Sequence, residues 1–499
     1  MIEVEVHSCL REFLRSNGDR NFPHHLTMAR LIARALRLGS PALLQTGSSV
    51  SKYCLSYLMP ILLADRSVII VAPPATLEYL FIEEIPRLQH WLKTNKQVRM
   101  GNRWQKGDRL LLTSPESWLS DRLSEKNDFP NIPTIIERAD RLEEWTRKLL
   151  TISIDGSDWE KLSGAIPSHK ELIRNARVKL TKSVFARPEN PYGNYALLNS
   201  DLEIISHLCQ VLAREKLLRG KFKQFWQQLT QTTITWISRD RHRGLFSINI
   251  APGEIRSKLK PIWSKQTVVI IGGFLDIDKN AAIYRQQLGL DNEMLSLKFA
   301  PNRQNNHLRL YIPERFPLPN TPDFRSALLE QCLLLVSLSR GIPKPIVVIA
   351  DDVPLQGQVG STLAAEFGSR VRVEQTAIDH SSILICGWSF WQQYQEILPI
   401  PQLVIIATLP IPSLENPLVA NRVADYKRRR QDWFRMYLLP TALKTLEQTV
   451  VPLRESQSII ALLDNRVNSR SYGKAILSTL EPSARINYLD PTWFGYLDS

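Results

Sequence analysis

The chain has 499 residues, and 63 Lys and Arg against 49 Asp and Glu leave a net charge of +14. The length is more than one ordinary hydrophobic core accommodates, and 43% hydrophobic with 22% charged residues excludes a disordered or collagen-like chain. So large a basic excess points to an anionic partner, for which nucleic acid and the membrane surface are the physical options.

The N-terminal segment MIEVEVHSCLREFLRSNGDR is charged throughout and lacks the apolar centre of a signal peptide. No uncharged apolar run approaches the ~20 residues of a membrane span, so a cytoplasmic protein without a membrane partner is expected. Met28, Leu31, Ile32, Ala35 and Leu36 recur at helical spacing and predict a helix over Leu26 to Leu38. Strand-length β-branched runs follow at Ser67 to Ala72, Thr267 to Ile271, Pro345 to Ala350, Ser382 to Cys386 and Leu403 to Thr408. Each is continuously apolar and bounded by Gly, Pro or polar residues, as expected of strands buried on both faces of parallel sheets. The middle of the chain, 146–235, reads instead as helical and charged, and Pro313 to Pro322 reads as a linker. The pattern is α/β, doubly wound, with sheet strands in both halves. Cys9, Cys54, Cys209, Cys332 and Cys386 are far apart and form none of the close pairs of a zinc or iron–sulfur site, so no metal-binding set and a reducing compartment are expected.

Cations cluster at Arg174 to Lys182, at Arg214 to Lys223, at Arg239, Arg241 and Arg243, and at Lys427 to Arg430. Phe222, Phe225, Trp226, Trp236, Trp433 and Phe434 lie beside them. Interleaved cations and rings suit a nucleic-acid single strand, because cations meet phosphates while bases stack on rings. The same pattern also fits solvated helix faces with buried aromatics. The segment PSLENPL with Asn421-Arg422 and the segment RRRQDWFRMYLLP have no chemical account beyond a basic, aromatic helix that could contact a strand.

Taken in order, the segments ALLQTGSSVSKYCLSYLMPILL, SVIIVAPPATLEYL, LLLTSPESWL, TVVIIGGFLD, ILICGWSFWQQYQEILPIPQLVIIATLPIPSLENPL and YLLPTALKTLEQTVVPLRESQSIIALLDNRV, with RSYG after the last, resemble the motifs of superfamily 2 DNA helicases of the DinG/XPD type. The likeness is to a divergent, cyanobacterial helicase-C-terminal-domain-like branch. It runs over most of the chain and is densest toward the C-terminus. It implies two RecA-like parallel-sheet domains of the P-loop NTPase fold. The first would be built from 1–145 and 236–312, interrupted by a helical insertion at 146–235, and the second, the helicase C-terminal domain, would occupy 323–499.

An active member of this family needs a phosphate loop GxxxxGK[ST], whose backbone amides wrap the phosphates while its Lys neutralises them and its hydroxyl binds Mg²⁺. The matching octet gives Gly47, Ser48, Ser51, Lys52, Tyr53 and Cys54 as candidate nucleotide-binding residues. Lys52 stands at the second glycine, Tyr53 at the lysine and Cys54 at the hydroxyl. An ordinary strand-to-helix turn capped by a serine is the alternative. The acidic box falls on Glu137-Arg138-Ala139-Asp140, which leaves Glu137 to coordinate Mg²⁺ but puts an arginine, which does not deprotonate, where a general base belongs. The arginine-finger helix keeps Gln448 but has Pro452 and Glu455 at its two arginines, so Arg454 is the nearby cation that could compensate. Glu137, Gln448 and Arg454 are therefore the candidate catalytic residues. The coupling motif reads Gly272-Gly273-Phe274, and the segment Phe390 to Gln395 has lost both carboxylates of its motif.

The resemblance thus implies ATP and Mg²⁺ as cofactors if the chain is active, and no iron–sulfur cluster, because the four cysteines of the XPD-type cluster domain are missing. With the ATP chemistry altered at several positions at once, the expected function is binding of single-stranded or forked DNA, with RNA left open because the sequence does not tell the two apart, by Arg239, Arg241, Lys427, Arg428, Arg429, Arg430 and Arg435. Two alternatives stay open: an active helicase with shifted catalytic groups, and a scaffold whose basic face meets an acidic protein partner.

Overall fold

Short strands made almost wholly of Val, Ile and Leu can be stable only where helices cover both faces of their sheet, and two such sheets organise this protein. The computed structural model describes residues 2–17, 23–47, 50–124, 130–229, 232–241, 243–291, 293–299, 308–339 and 344–494. In chain order the first strands are β1 (Ala42–Gln45), β2 (Val68–Val71), β3 (Val98–Met100), β4 (Leu110–Thr113) and β5 (Thr134–Ile136). An inserted unit then contributes β6 (Ile152–Ile154), β7 (Asn194–Ala196), β8 (Thr233–Asp240) and β9 (Leu245–Pro252). The first sheet is completed by β10 (Val268–Gly272) and β11 (Leu295–Lys298), and its order is β11-β1-β10-β5-β2-β4-β3, parallel throughout.

The two-residue period of a strand sends alternate residues to opposite layers. Leu44, Ile70, Leu112 and Ile271 pack under helices Ile2–Ser16, Pro23–Leu38 and Cys54–Leu63. Leu43, Ile69, Leu111 and Ile270 face Trp118, Leu142 and Leu259 on the other side.

The second sheet is built from β12 (Leu308–Tyr311), β13 (Ile346–Ile349), β14 (Val371–Val373), β15 (Ile383–Cys386), β16 (Leu403–Ile406), β17 (Ile459–Leu462) and β18 (Ser483–Ile486). It is also parallel, in the order β14-β15-β13-β16-β17-β12-β18. One face packs on Leu443, Leu446 and Val450 of the helix Leu439–Glu455, and the other on Leu328, Cys332 and Leu335. Trp391 is buried in this core.

The expected domain limits need two corrections. The insertion is not all helical: β6, β9, β8 and β7 form an antiparallel sheet that extends to Pro252, past the expected end at 235. These strands have one half-exposed face, so they alternate apolar and polar residues and lack the continuous apolar run of a doubly covered strand. Likewise, Pro313 to Pro322 does not separate the halves. β12 precedes it and lies between β17 and β18 of the second sheet, so the chain crosses over between β11 and β12. No helix among the described residues is long and apolar enough to cross a membrane.

Candidate nucleotide cleft and basic surface

In parallel α/β sheets ligands bind beyond the carboxyl ends of the strands, because the following loops and helix N-termini converge there. Three of the motif segments meet at that edge here. Beyond β1, the Thr46 and Gly47 amides donate to the carbonyls of Gly272 and Gly273 beyond β10, at 2.9 and 3.1 Å. Beyond β5, the Glu137 amide donates to Val71 at 2.8 Å. Gly272 is pinned at this junction, since a Cβ there would lie 2.3 Å from Leu275 Cδ2 and 3.2 Å from the Asp140 amide nitrogen. From the other domain, Gln448 Nε2 donates to Asp140 Oδ2 at 2.9 Å and Lys444 Nζ to the Asp140 carbonyl at 2.6 Å. Gly47, Glu137 and Gln448, far apart in sequence, therefore come together at one cleft.

Gly47 takes a left-handed turn at φ 62°, and a one-turn 3₁₀ helix, Val50–Tyr53, leads into the helix Cys54–Leu63. Ser51 is exposed and Lys52 half-buried on that turn, while Ser48 lies outside the described residues. Tyr53, at the place of the phosphate-binding lysine, is 6% exposed and stacks on His25 at 4.7 Å, with Phe299 parallel at 6.3 Å. His25 is held neutral, its pKa lowered to about 4 by burial and by His24. One turn into the helix, the Tyr57 hydroxyl donates to Glu137 Oε2, and both side chains are fully buried. Burial raises the Glu137 carboxyl to about 6 despite that hydrogen bond, and burial pushes the Cys54 thiol up to about 12.

This donor set does not fit a magnesium ion. A neutral thiol is a poor ligand for a hard cation, and Mg²⁺ requires near-octahedral oxygen donors. One Glu137 oxygen accepts from Tyr57, the other is buried without a hydrogen-bond partner, and the Asp140 carboxylate is engaged by Gln448. Among the described residues no group of three His, Cys, Asp or Glu could hold a metal ion.

Arg454 is not brought to the cleft. It is 2% exposed inside the second domain, where it donates to the carbonyls of Thr479 and Glu481 at 2.9 and 2.7 Å and faces Glu447. Its place on the buried side of the helix, against the end of Gly473–Leu480, takes it away from the first domain. Arg138, at φ 53°, instead reaches across to Glu396 of the second domain.

The basic candidates divide in two. Arg239 is used inside the insertion: it donates to the Val184 and Arg187 carbonyls, both at 3.0 Å, and lies 4.3 Å over the Tyr195 ring. Arg429 is turned onto the fully buried Asp425. Phe222 and Phe225 are core residues, so those two rings offer nothing to a base, while Trp226 beside them is half-buried. Lys427, Arg428, Arg430 and Arg435 are exposed, with Lys427 5.3 Å over the Trp433 ring, Arg428 reaching Asp425 at 3.2 Å and Arg435 near Asp432. Arg241 is exposed and paired with Glu189 on the insertion.

Sequence reasoning missed Tyr57 and Lys444 and found no role for Glu143 or Arg422. Arg422 meets Glu143 of the first domain, which Arg147 also approaches at 2.9 Å, and its guanidinium lies 3.9 Å over the Tyr437 ring. Burial alone would raise the Glu143 carboxyl, but Arg422 and Arg147 outweigh it and hold the group at about 2. The available signal was the unexplained Asn421-Arg422 pair.

Residues 400–483 match the family described as Helicase C-terminal domain. Two relatives named ATP-dependent DNA helicase YoaA, from Haemophilus influenzae and Escherichia coli K12, are 22% identical over 321 residues and 23% over 305. Each match covers 59% of this chain but 50% and 46% of the relatives, so the chain spans about half the length of the curated relatives it matches. Among solved structures, an XPD helicase aligns over 94% of this chain and 100% of its own with a TM-score of 0.62 at 13% identity. Xpd4 of S. tokodaii aligns over 93% and 100%, with a TM-score of 0.59 and 13% identity. At such identities the structures establish the shared fold, two RecA-like domains. With its ordered motifs, its match to the helicase C-terminal domain family and its relatives, the chain is similar to superfamily 2 helicases of the DinG/XPD type.

Proposed function

We propose that this protein is a helicase-fold nucleic-acid-binding protein that engages single-stranded or forked DNA without turning over ATP. The observation that carries the reading is the buried Tyr57–Glu137 contact at the carboxyl edge of the first sheet. A phenol from the phosphate-loop helix satisfies the carboxylate that the family uses for Mg²⁺, and the thiol of Cys54 replaces the hydroxyl. Arg138 in place of a general base and the inward-facing Arg454 support the same reading, because transition-state charge on a phosphoryl group needs a positioned cation. The exposed set Lys427, Arg428, Arg430 and Arg435, beside Trp433, supports strand binding, since phosphate contacts rest on distributed cations and need no catalytic atom. The relatives' name, DNA helicase, favours DNA over RNA as the strand.

Two measurements test this. Anisotropy of a labelled single-stranded oligonucleotide is expected to show binding that weakens linearly in log salt, and absence of binding at about 50 mM salt rejects the strand reading. An ATPase assay with and without that strand is expected to show no stimulated turnover. DNA-stimulated hydrolysis on the order of 1 s⁻¹, low in the usual enzyme range, rejects the non-catalytic reading in favour of an active helicase.

A further inference from the structure

The helix Pro417–Arg428 carries the Asn421-Arg422 pair that the motif reading leaves unexplained, and it touches all three parts of the molecule. Asn421 Nδ2 donates to the Thr235 carbonyl on β8 of the insertion at 2.8 Å. Arg422, flat on Tyr437 of its own domain, reaches Glu143 on the helix that follows the acidic box of the first domain. Asp425, fully buried, lies against Gly253 at the end of the insertion, so closely that a Cβ on Gly253 would come within 2.8 Å of its Oδ2. A second line of contacts joins the same two domains at the cleft itself, from Lys444 and Gln448 to Asp140. A third runs from Gln287 Nε2 of the first domain to the Met436 carbonyl at 2.6 Å.

In a helicase driven by ATP, a nucleotide that binds both domains biases them toward closure, and it can do so only by binding the closed arrangement better than the open one. Here both domains are already joined by side chains that reach half-buried carboxylates, Arg422 on Glu143 and Gln448 on Asp140, and the second of these bridges lies where a nucleotide would act. We propose that the helix Pro417–Arg428, with Lys444 and Gln448, is a constitutive latch that holds the two RecA-like domains closed on each other independently of nucleotide. The latch replaces the switching of an ATP-driven helicase by one standing conformation, and it fixes the insertion in the same act through Asn421.

The test reads the distance between the domains directly, in the full chain and without nucleic acid, so its outcome does not depend on whether the basic surface binds a strand. Spin labels at Lys106→Cys and Ala365→Cys, both exposed and one in each domain, in a Cys9→Ser background, report that distance by pulsed electron resonance. The expected result is one narrow distribution that Mg²⁺ with a non-hydrolysable ATP analogue leaves unchanged. A broad distribution that narrows when the analogue is added overturns the latch. Asn421→Ala with Arg422→Met is expected to lose the single population and yield a second, longer one. If that variant fails to fold by circular dichroism, Lys444→Met with Gln448→Leu, at half-buried positions, decides the matter. A distribution as narrow as that of the parent in a folded variant overturns the proposal.

Discussion

Glu137 is fully buried and accepts a hydrogen bond from a buried phenol, and the two groups together set its behaviour with pH. Burial raises its carboxyl to about 6 from an ordinary 4.5, so ionising it costs the folded state stability. That cost is absent below pH 4.5, grows as pH rises and is complete above about 6, where it amounts to about 2 kcal/mol. Removing the donor alone, in Tyr57→Phe, is expected to destabilise the protein by about 1–3 kcal/mol at neutral pH, because a buried carboxylate loses its partner. Replacing both, in Tyr57→Phe with Glu137→Leu, is expected to restore parental stability and to abolish the loss between pH 4.5 and 6, read from urea midpoints across that range. A double variant as unstable as the single one contradicts this account. At another residue, Gly473 of the RSYG segment, a Cβ would sit 1.9 Å from the Val467 carbonyl oxygen, which is backbone and cannot swing aside. Gly473→Ala is expected to cost about 3 kcal/mol by overpacking, seen as a lower urea midpoint with an unchanged slope.

At the scale of elements, the contact between the helices Leu142–Leu150 and Pro417–Arg428 rests on one charged group with two cationic neighbours. Glu143 is 24% exposed and Arg422 14%, so both are substantially withdrawn from water. Arg422→Met leaves Glu143 with Arg147 alone and is expected to cost about 3 kcal/mol, whereas Arg422→Met with Glu143→Leu is expected to cost much less, a difference a double-mutant cycle measures. The pH dependence has the opposite sign to that of Glu137. With its carboxyl held at about 2, Glu143 contributes stability that is complete above pH 4.5 and lost as pH falls toward 2. Acid unfolding of the parent in that window, absent from the double variant, is the expected outcome, and identical acid limbs count against it. The LLDNR segment also acts between elements. Asp464, fully buried, accepts from the Leu409 amide at 2.7 Å and pairs with Arg466 at 2.6 Å, tying the ends of β16 and β17 together.

For the whole molecule, the question is where its positive charge can act. Several cations are engaged internally: Arg239 in the insertion, Arg429 on Asp425, Arg422 on Glu143 and Arg454 on backbone carbonyls. Lys427, Arg428 and Arg430 are among the cations that stay outward on the second domain, and they lie closest together in sequence. Replacing these three by Gln is expected to weaken single-strand binding and to flatten its log–log salt slope by roughly 2, at about 0.7 for each phosphate no longer neutralised. An unchanged slope places the strand elsewhere. Five central strands of the parallel sheets were legible in the sequence because burial on both faces demands an unbroken apolar run, as in Ser67 to Ala72 or Leu403 to Thr408, whereas partly exposed strands such as Val98–Met100 and Ser483–Ile486 were not. The insertion's strands were not, because one half-exposed face admits polar residues, as in Thr233–Asp240. The order of the motif segments was equally legible, since covalent order survives divergence of the residues themselves. The availability of each charged group was decided only by the tertiary structure. Tyr57 stands 80 residues from Glu137 and Arg422 stands 279 from Glu143, and a hydrogen bond or ion pair depends on a few ångströms of space that no local spacing encodes.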